Sequence, residues 1–139
     1  MRKITLIMLF VIRAAGGSWA WAASPCDGVD RSLPNERKAA LAPQIAKQLA
    51  KQLDTAKVDV LESFQFRGWS IIYVDTHVSD ETYLFYAHDP FTSRYITLWG
   101  GAAANFEETE IRNWTLKNAP GIPPKLASCF AWHVTKDRT

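Results

Sequence analysis

Four consecutive segments rich in β-branched and aromatic residues occupy the middle of the chain and constrain its fold most strongly. They span residues 58–66, 69–76, 82–88 and 94–100, with short polar turns between them. Short strands joined by short turns usually form an antiparallel meander. Residues 83–87 are apolar or aromatic at every position. We therefore expect the third strand to be covered on both faces, or to present its second face to a partner.

A helical pattern precedes the first of these strands, over residues 36–53. Apolar side chains recur every fourth residue, with lysines and glutamines on the opposite side: Leu41, Ile45, Leu49 and Leu53. This period predicts an amphipathic helix whose N-cap is Ser32 or Asn35. Pro43 lies inside the pattern and has no amide N–H, so we expect a kink or a fresh helix start there.

A second helix is predicted over residues 105–119, after the break at Gly100 and Gly101. Asn105 is a suitable N-cap, and Pro120 marks the end. Three glutamates lie in the first turns: Glu107, Glu108 and Glu110. Such a cluster is open to interpretation as a metal or acid–base site, but negative charge at a helix N-terminus complements the helix dipole and explains it more simply.

The last apolar segment covers residues 127–134. Phe130, Trp132 and Val134 alternate with Cys129, Ala131 and His133. This alternation predicts a final strand with one apolar face.

The first 22 residues have the layout of a bacterial-type secretory signal peptide. Arg2 and Lys3 precede an apolar run over residues 4–12, and an A-x-A sequence ends at Ala22. Arg13 is atypical of a signal peptide, and an uncleaved anchor is the alternative. We expect cleavage before Ala23, export to the periplasm or the medium, and no stable membrane span afterwards, since the apolar run is too short to cross a bilayer.

Removal of residues 1–22 changes the charge balance of the chain. Three of its 16 basic residues lie in that segment, which leaves 13 against 14 acidic residues. No run rich in lysine or arginine remains, so we do not expect nucleic acid as a partner.

Two cysteines lie near the two ends of the expected mature chain, Cys26 and Cys129. In an oxidising compartment such a pair most simply forms one disulfide. The alternative is a nucleophilic Cys129 activated by His133. In a strand, residues four apart lie ~13 Å apart, too far for direct proton transfer. We therefore predict the disulfide.

Together these patterns predict an α+β fold with one disulfide, in a single small domain over residues 23–139. The elements are an N-terminal helix, an antiparallel four-strand meander, a second helix and a final strand.

Three histidines are the only candidates for a metal or catalytic centre: His77, His88 and His133. If the second and third strands pair, His77 and His88 need not be far apart, and His133 is able to approach from the final strand. However, the spacing matches no compact ligand motif. The chain also lacks the signatures of serine hydrolases, HExxH metalloproteases, and nucleotide- or phosphate-binding loops. We therefore predict no cofactor, no metal site and no catalytic residue.

The function predicted from these observations is that of an exported, non-catalytic binding protein, of the stoichiometric inhibitor or immunity type. Its expected partner is another protein of the cell envelope. Small size, a disulfide and an abundance of aromatic residues favour this class over an enzyme. Loops on a rigid sheet commonly carry recognition, so the predicted contact residues lie in three loops. They are His77, Asp80, Glu81, His88, Asp89, Phe91, Ile122 and Lys125.

The sequence is also compatible with two alternative functions. One is a small periplasmic hydrolase or metal-dependent enzyme that uses His77, His88 and His133. The other is a structural or stress-related protein of the cell envelope.

Overall fold

The computed structural model describes residues 23–53 and 57–138, so the predicted signal peptide lies outside the described residues. The helices are α1 (Asn35–Leu53), α2 (Glu108–Asn118) and α3 (Pro124–Trp132), and a π-helical turn (His133–Asp137) follows α3. The strands are β1 (Asp59–Phe66), β2 (Trp69–Asp75), β3 (Thr82–Tyr86) and β4 (Thr97–Gly100). The predicted α+β fold, with one helix before a four-strand meander, is confirmed.

The sheet has the order β1-β2-β3-β4, and every neighbouring pair is antiparallel. A tight turn at Arg67 and Gly68 joins β1 to β2. Both residues have positive φ angles, +48° and +80°, which is the backbone of a type I′ hairpin turn and matches the twist of the flanking strands. A bulge interrupts the register of β1 between Val60 and Glu62.

Every residue of β3 is buried, because helices cover both faces of the sheet. On one face, α1 packs Leu41, Ile45 and Leu49 against side chains that include Leu84. On the other face, α2 and α3 pack against side chains that include Phe85. Leu84 and Phe85 are neighbours in the strand and point to opposite faces. The prediction of a third strand covered on both faces is confirmed.

Helix α1 begins at Asn35 and continues through Pro43 to Leu53. The carbonyl of Pro34 accepts the N–H of Lys38, so the cap position is held by Pro34 and not by Ser32 or Asn35. Pro43 is exposed, on the side of the helix away from the sheet. The helix therefore does not start afresh at this proline.

The predicted final strand is wrong, because residues 124–132 form α3 instead. Pro124 is the first helical residue, where a missing amide N–H costs nothing. The buried side chains follow a helical period, not a period of two: Leu126, Ala127, Phe130, Ala131 and Val134. The alternation of Phe130, Trp132 and Val134 fits both periods over so short a run, and the open face of the sheet selects the helix.

The predicted disulfide between Cys26 and Cys129 is confirmed and joins the N-terminal lead-in to α3. The two cysteines are 103 residues apart, and a loop of this length is worth roughly 4–5 kcal/mol in the chain-entropy account. A backbone bridge from Asp30 to Gln65 also holds the lead-in against β1.

Within the described ranges, no helix combines the length and the hydropathy that a membrane crossing requires.

Candidate functional site

The loops lie at two opposite ends of the sheet, because antiparallel strands reverse direction at each turn. We call one the turn end, formed by residues 76–81 between β2 and β3 and by residues 101–107 after β4. The other is the hairpin end, formed by the turn at 67–68 and by residues 87–96 between β3 and β4. The two ends differ in charge and in exposed apolar surface.

The turn end exposes the two most accessible large apolar side chains among the described residues. Phe106 is 89% exposed and Val78 is 58% exposed. The acidic residues Asp80 and Glu81 lie beside Val78 and are also exposed. A phenylalanine left almost entirely in water adds nothing to the core, whereas burial against a partner would stabilise a complex. This combination is typical of a surface that another molecule covers.

A cleft of about 410 Å³ opens at the same end. Its lining comes from β2, both turn-end segments and the C-terminal turn: Tyr73, Asp80, Glu81, Gly101, Ala102, Ala103, Val134, Thr135 and Arg138. Arg138 donates a hydrogen bond of 2.8 Å to the hydroxyl of Tyr73 and lies 5.0 Å from the centre of that ring. Burial raises the pKa of Tyr73 above its ordinary value, although the charge of Arg138 opposes this. The tyrosine is thus a neutral hydrogen-bonding group at the cleft.

His77 holds the β2–β3 turn in place. Its φ is +60°, in the left-handed region, and its backbone N–H donates to Oδ1 of Asp75 at 2.7 Å. The ring Nε2 lies 2.8 Å from Oδ2 of Asp59, on the neighbouring strand. These contacts tie the turn to both β1 and β2, so residues 78–81 project from a fixed base.

The three histidines do not meet. His77 follows β2 at the turn end, whereas His88 follows β3 at the hairpin end, and His133 lies in the core under the sheet. Pairing of β2 with β3 brings the end of β2 to the start of β3, not to its end, so a strand length separates His77 from His88. Among residues 23–53 and 57–138, no group of three or more His, Cys, Asp or Glu side chains has the geometry to hold a metal ion.

His133 is instead the centre of a polar network that the sequence patterns missed. Its Nε2 lies 2.9 Å from Oε2 of Glu62 on β1, and its Nδ1 lies 2.9 Å from Oδ2 of Asp137. Arg31 in the lead-in donates to the same oxygen of Asp137 at 3.1 Å, and also lies 3.8 Å from Glu62. Three distant parts of the chain therefore meet at one imidazole. We call Arg31, Glu62, His133 and Asp137 the His133 network.

The network lowers the pKa of both its carboxylates. Burial alone raises the pKa of Glu62, but the hydrogen bond and charge of His133, together with Arg31, outweigh burial and lower it. The hydrogen bond from His133 lowers the pKa of Asp137, with a further contribution from Arg31. Both carboxylates are therefore held in the ionised form, as acceptors for the ring.

His133 is 2% exposed, and a carboxylate faces each nitrogen of its ring. No ring nitrogen is left to reach a substrate from solvent, so the arrangement suits a clamp and not a general base. Cys129 lies one helical turn before His133, so the strand-based separation of ~13 Å does not apply; residues four apart in a helix are only about 5–6 Å apart. Cys129 is nevertheless unable to act as a nucleophile, because its sulfur is in the disulfide.

The predicted contact residues divide between the two ends of the molecule. His77, Asp80 and Glu81 are exposed at the turn end. A second exposed group occupies the hairpin end: His88, Asp89 and Phe91. Lys125 is partly exposed near Gly28, whereas Ile122 is only 4% exposed and packs in the core. A single partner surface of ordinary size would therefore draw on one of these groups rather than on all three loops.

Sequence reasoning also missed Phe106, because an isolated phenylalanine near a helix start looks like core. Glu62 carried the one available signal for the His133 network, as a carboxylate in the middle of a strand. Arg31 is too distant in sequence for any local pattern to connect it to the ring. Asp137 follows His133 by only four residues, but the two side chains meet because this segment is helical and not the predicted strand.

Comparisons with protein-family models, with curated proteins and with solved structures find no match for this chain.

Proposed function

We propose that this protein is exported to the periplasm or the medium and acts there by binding another envelope protein, as a stoichiometric inhibitor or an immunity-type protein. The signal-like segment over residues 1–22 and the disulfide support an oxidising location. The turn end is the contact surface. The observation that carries this proposal is the 89% exposure of Phe106.

Phe106 has the properties of a binding anchor. Its side chain projects from the segment between β4 and α2, so it enters a partner pocket without any rearrangement of the sheet. Full burial of a phenylalanine contributes about 1.5–3 kcal/mol, and such residues often dominate an interface. Val78, from the neighbouring turn, adds a second apolar contact.

The charges beside these residues define the partner's surface. Asp80 and Glu81 are exposed next to Val78. A complementary partner offers an apolar pocket bordered by lysine or arginine, since opposite charges at an interface steer association and fix its register. The proposal therefore predicts that association slows as the salt concentration rises.

Variant-dependent capture tests the proposal. The exported protein is cross-linked to envelope extract of its own cells, in parallel with Phe106→Ala and with a matched control, Leu61→Ala. Leu61 is 40% exposed and lies on β1, at the opposite edge of the sheet from β4, which leads into the segment that carries Phe106. We expect one partner to be captured by the wild type and by Leu61→Ala, and lost with Phe106→Ala. Equal capture by all three proteins, or no partner for the wild type, contradicts the proposal.

The same geometry gives less support to the two alternative functions. A metal-dependent hydrolase that uses His77, His88 and His133 needs ligands from the two ends of the sheet and from its core to meet. A structural or stress-related role in the envelope predicts that Phe106→Ala leaves every interaction unchanged, so the same experiment separates it from binding.

A further inference from the structure

A second cleft, of about 570 Å³, lies at the hairpin end, on the opposite side of the molecule from the proposed contact surface. Its lining comes from the start of α1, the β1–β2 hairpin and the β3–β4 connection. The lining includes two arginines, three aromatic residues and one acid: Arg37, Arg67, Phe66, Trp69, Phe91 and Asp89. Nothing in the proposed function uses this cleft.

In the part of the chain that the structure describes, neither arginine of the cleft is in an ion pair, although the charge of Arg37 contributes to lowering the pKa of Asp30. Among residues 23–53 and 57–138, no ion pair within 4 Å involves Arg37 or Arg67. The Nε of Arg37 is buried and has no hydrogen-bond acceptor. Buried donors without an acceptor are rare and costly in folded proteins, so the guanidinium of Arg37 has a hydrogen-bonding capacity that the described residues leave unused.

Arg37 also sits where a positive charge is unfavourable to the helix. It lies in the first turn of the 19-residue α1, near the positive end of the helix dipole. An anion bound there would interact favourably with both the guanidinium and the helix terminus.

Arg67, at the edge of the cleft, has a strained backbone. Its φ of +48° is left-handed, a conformation that is unfavourable for residues other than glycine. Asparagine or aspartate usually fills this position of a type I′ turn, and an arginine there gains nothing for the hairpin. Strain of this kind concentrates at functional sites.

Aromatic rings complete the cleft. The guanidinium of Arg67 lies 5.1 Å from the ring centre of Phe66, and that of Arg37 lies 5.7 Å from the ring centre of Phe91. This stacking orients both cations beside apolar surface. The carboxylate of Asp89 accepts the backbone N–H of Phe91 at 2.9 Å, and two arginines against one aspartate leave the lining with a net positive charge.

The geometry points to a binding site for a carboxylate that carries an apolar ring or chain. Arg37 and Arg67 bind the carboxylate, and Phe66, Trp69 and Phe91 hold the apolar part. The same chemistry is available from a small organic acid and from the C-terminal carboxylate of a peptide that ends in an apolar residue. This inference does not depend on the contact surface at the turn end.

Titration followed by backbone amide chemical shifts tests the site on the full exported protein. The probes are phenylacetate, its uncharged analogue phenylacetamide, and a short peptide ending in phenylalanine, as free acid and as amide. We expect at least one free acid to shift the amides of Arg67, Gly68 and Phe91 saturably, and both amides to bind about tenfold more weakly or not at all. Stronger binding of phenylacetate identifies a small acid as ligand, and stronger binding of the peptide acid identifies a chain terminus.

Two variants and a control make the result specific. Arg37→Gln and Arg67→Gln should each weaken binding of the responding acid about fivefold to tenfold, because each removes one charged donor. Arg94→Gln is the matched control, since Arg94 is exposed in the β3–β4 connection and does not line the cleft. The inference is overturned by either of two results: no saturable shift with either acid up to about 10 mM, a concentration that detects even millimolar affinity, or equal affinity of the wild type and both glutamine variants.

Discussion

On one face of the sheet a single helix packs mostly aliphatic side chains, whereas on the other face two helices, a π-helical turn and a disulfide enclose a core that is richer in aromatic ones. The first face depends on α1 alone. The second is cross-linked by Cys26–Cys129 and by the His133 network, and both links bring the N-terminal lead-in to the C-terminal part of the chain. The helix of the first face continues directly from the lead-in. The helices of the second face come last in sequence, and the covalent and polar links fix their position.

The faces also differ in how they relate to the sequence. The four-residue period of leucine and isoleucine over residues 41–53 is a local pattern, and it predicts α1. α3 is only nine residues long, and its apolar residues fit a strand as well as a helix. The choice between the two depends on the sheet face that α3 covers, which no local pattern contains.

The largest expected effect comes from removal of the disulfide. The double variant Cys26→Ser/Cys129→Ser should lose about 4–5 kcal/mol of unfolding free energy, since it frees a loop that spans most of the domain. Denaturant unfolding measures the loss, and amide hydrogen exchange should show that α3 loses more protection than α1. Reductant is the control, because it should destabilise the wild type and leave the variant unchanged. Equal loss of protection in α1 and α3 would contradict the difference between the two faces.

Truncation of one buried side chain on each face should give the next largest loss of stability. Phe130→Ala should cost about 3–5 kcal/mol and Ile45→Ala about 2–4 kcal/mol in the free energy of unfolding. Phe130 has the larger effect because its ring lies 5.0 Å from those of Tyr83 and Phe85, and edge-to-face contacts add to its burial. Equilibrium unfolding measures both. A larger loss for Ile45→Ala would place the main core on the α1 face instead.

The His133 network should make a smaller, pH-dependent contribution to the free energy of unfolding, through its contacts on the second face. The pKa values of Glu62 and Asp137 are lowered in the folded protein, so the unfolded chain takes up protons first as the pH falls. Their contribution is complete at neutral pH, begins to fall near the unfolded-state values of about 4, and is lost as the pH drops through the folded-state values.

Unfolding midpoints measured between pH 7 and pH 3 test this dependence. Glu62→Gln/Asp137→Asn should lose about 1 kcal/mol at neutral pH, a figure reduced for the partial solvent exposure of both carboxylates, and should fall less steeply than the wild type below pH 5. Asp80→Asn is the control, since Asp80 is exposed at the turn end and lies outside the network. Parallel profiles for the wild type and the double variant would show that the network does not couple folding to pH.

The smallest effect on stability should come from Phe106, which belongs to neither core. Phe106→Ala should change the free energy of unfolding by no more than about 0.5 kcal/mol, as substitutions at exposed positions usually do. Thermal and denaturant unfolding measure this change. A loss above about 1 kcal/mol would mean that Phe106 packs against the domain and is not free for a partner.

Local patterns predicted most of the fold but little of the candidate site. Alternating strands, turn residues and the two cysteines carry their signal within a few positions or through compartment chemistry alone. The contacts of Arg31 and Glu62 with His133 and Asp137 span most of the chain, and the exposure of Phe106 depends on where the segment between β4 and α2 leaves the sheet. Neither can be predicted without the tertiary structure.

The affinity of the captured envelope partner for wild type and for Phe106→Ala tests the central claim most directly. Isothermal titration calorimetry with the purified partner should give a one-to-one complex for the wild type, and an affinity at least tenfold weaker for Phe106→Ala at an unchanged unfolding midpoint. Equal affinities for the two proteins would contradict the claim that the turn end of the sheet is the surface through which this protein acts.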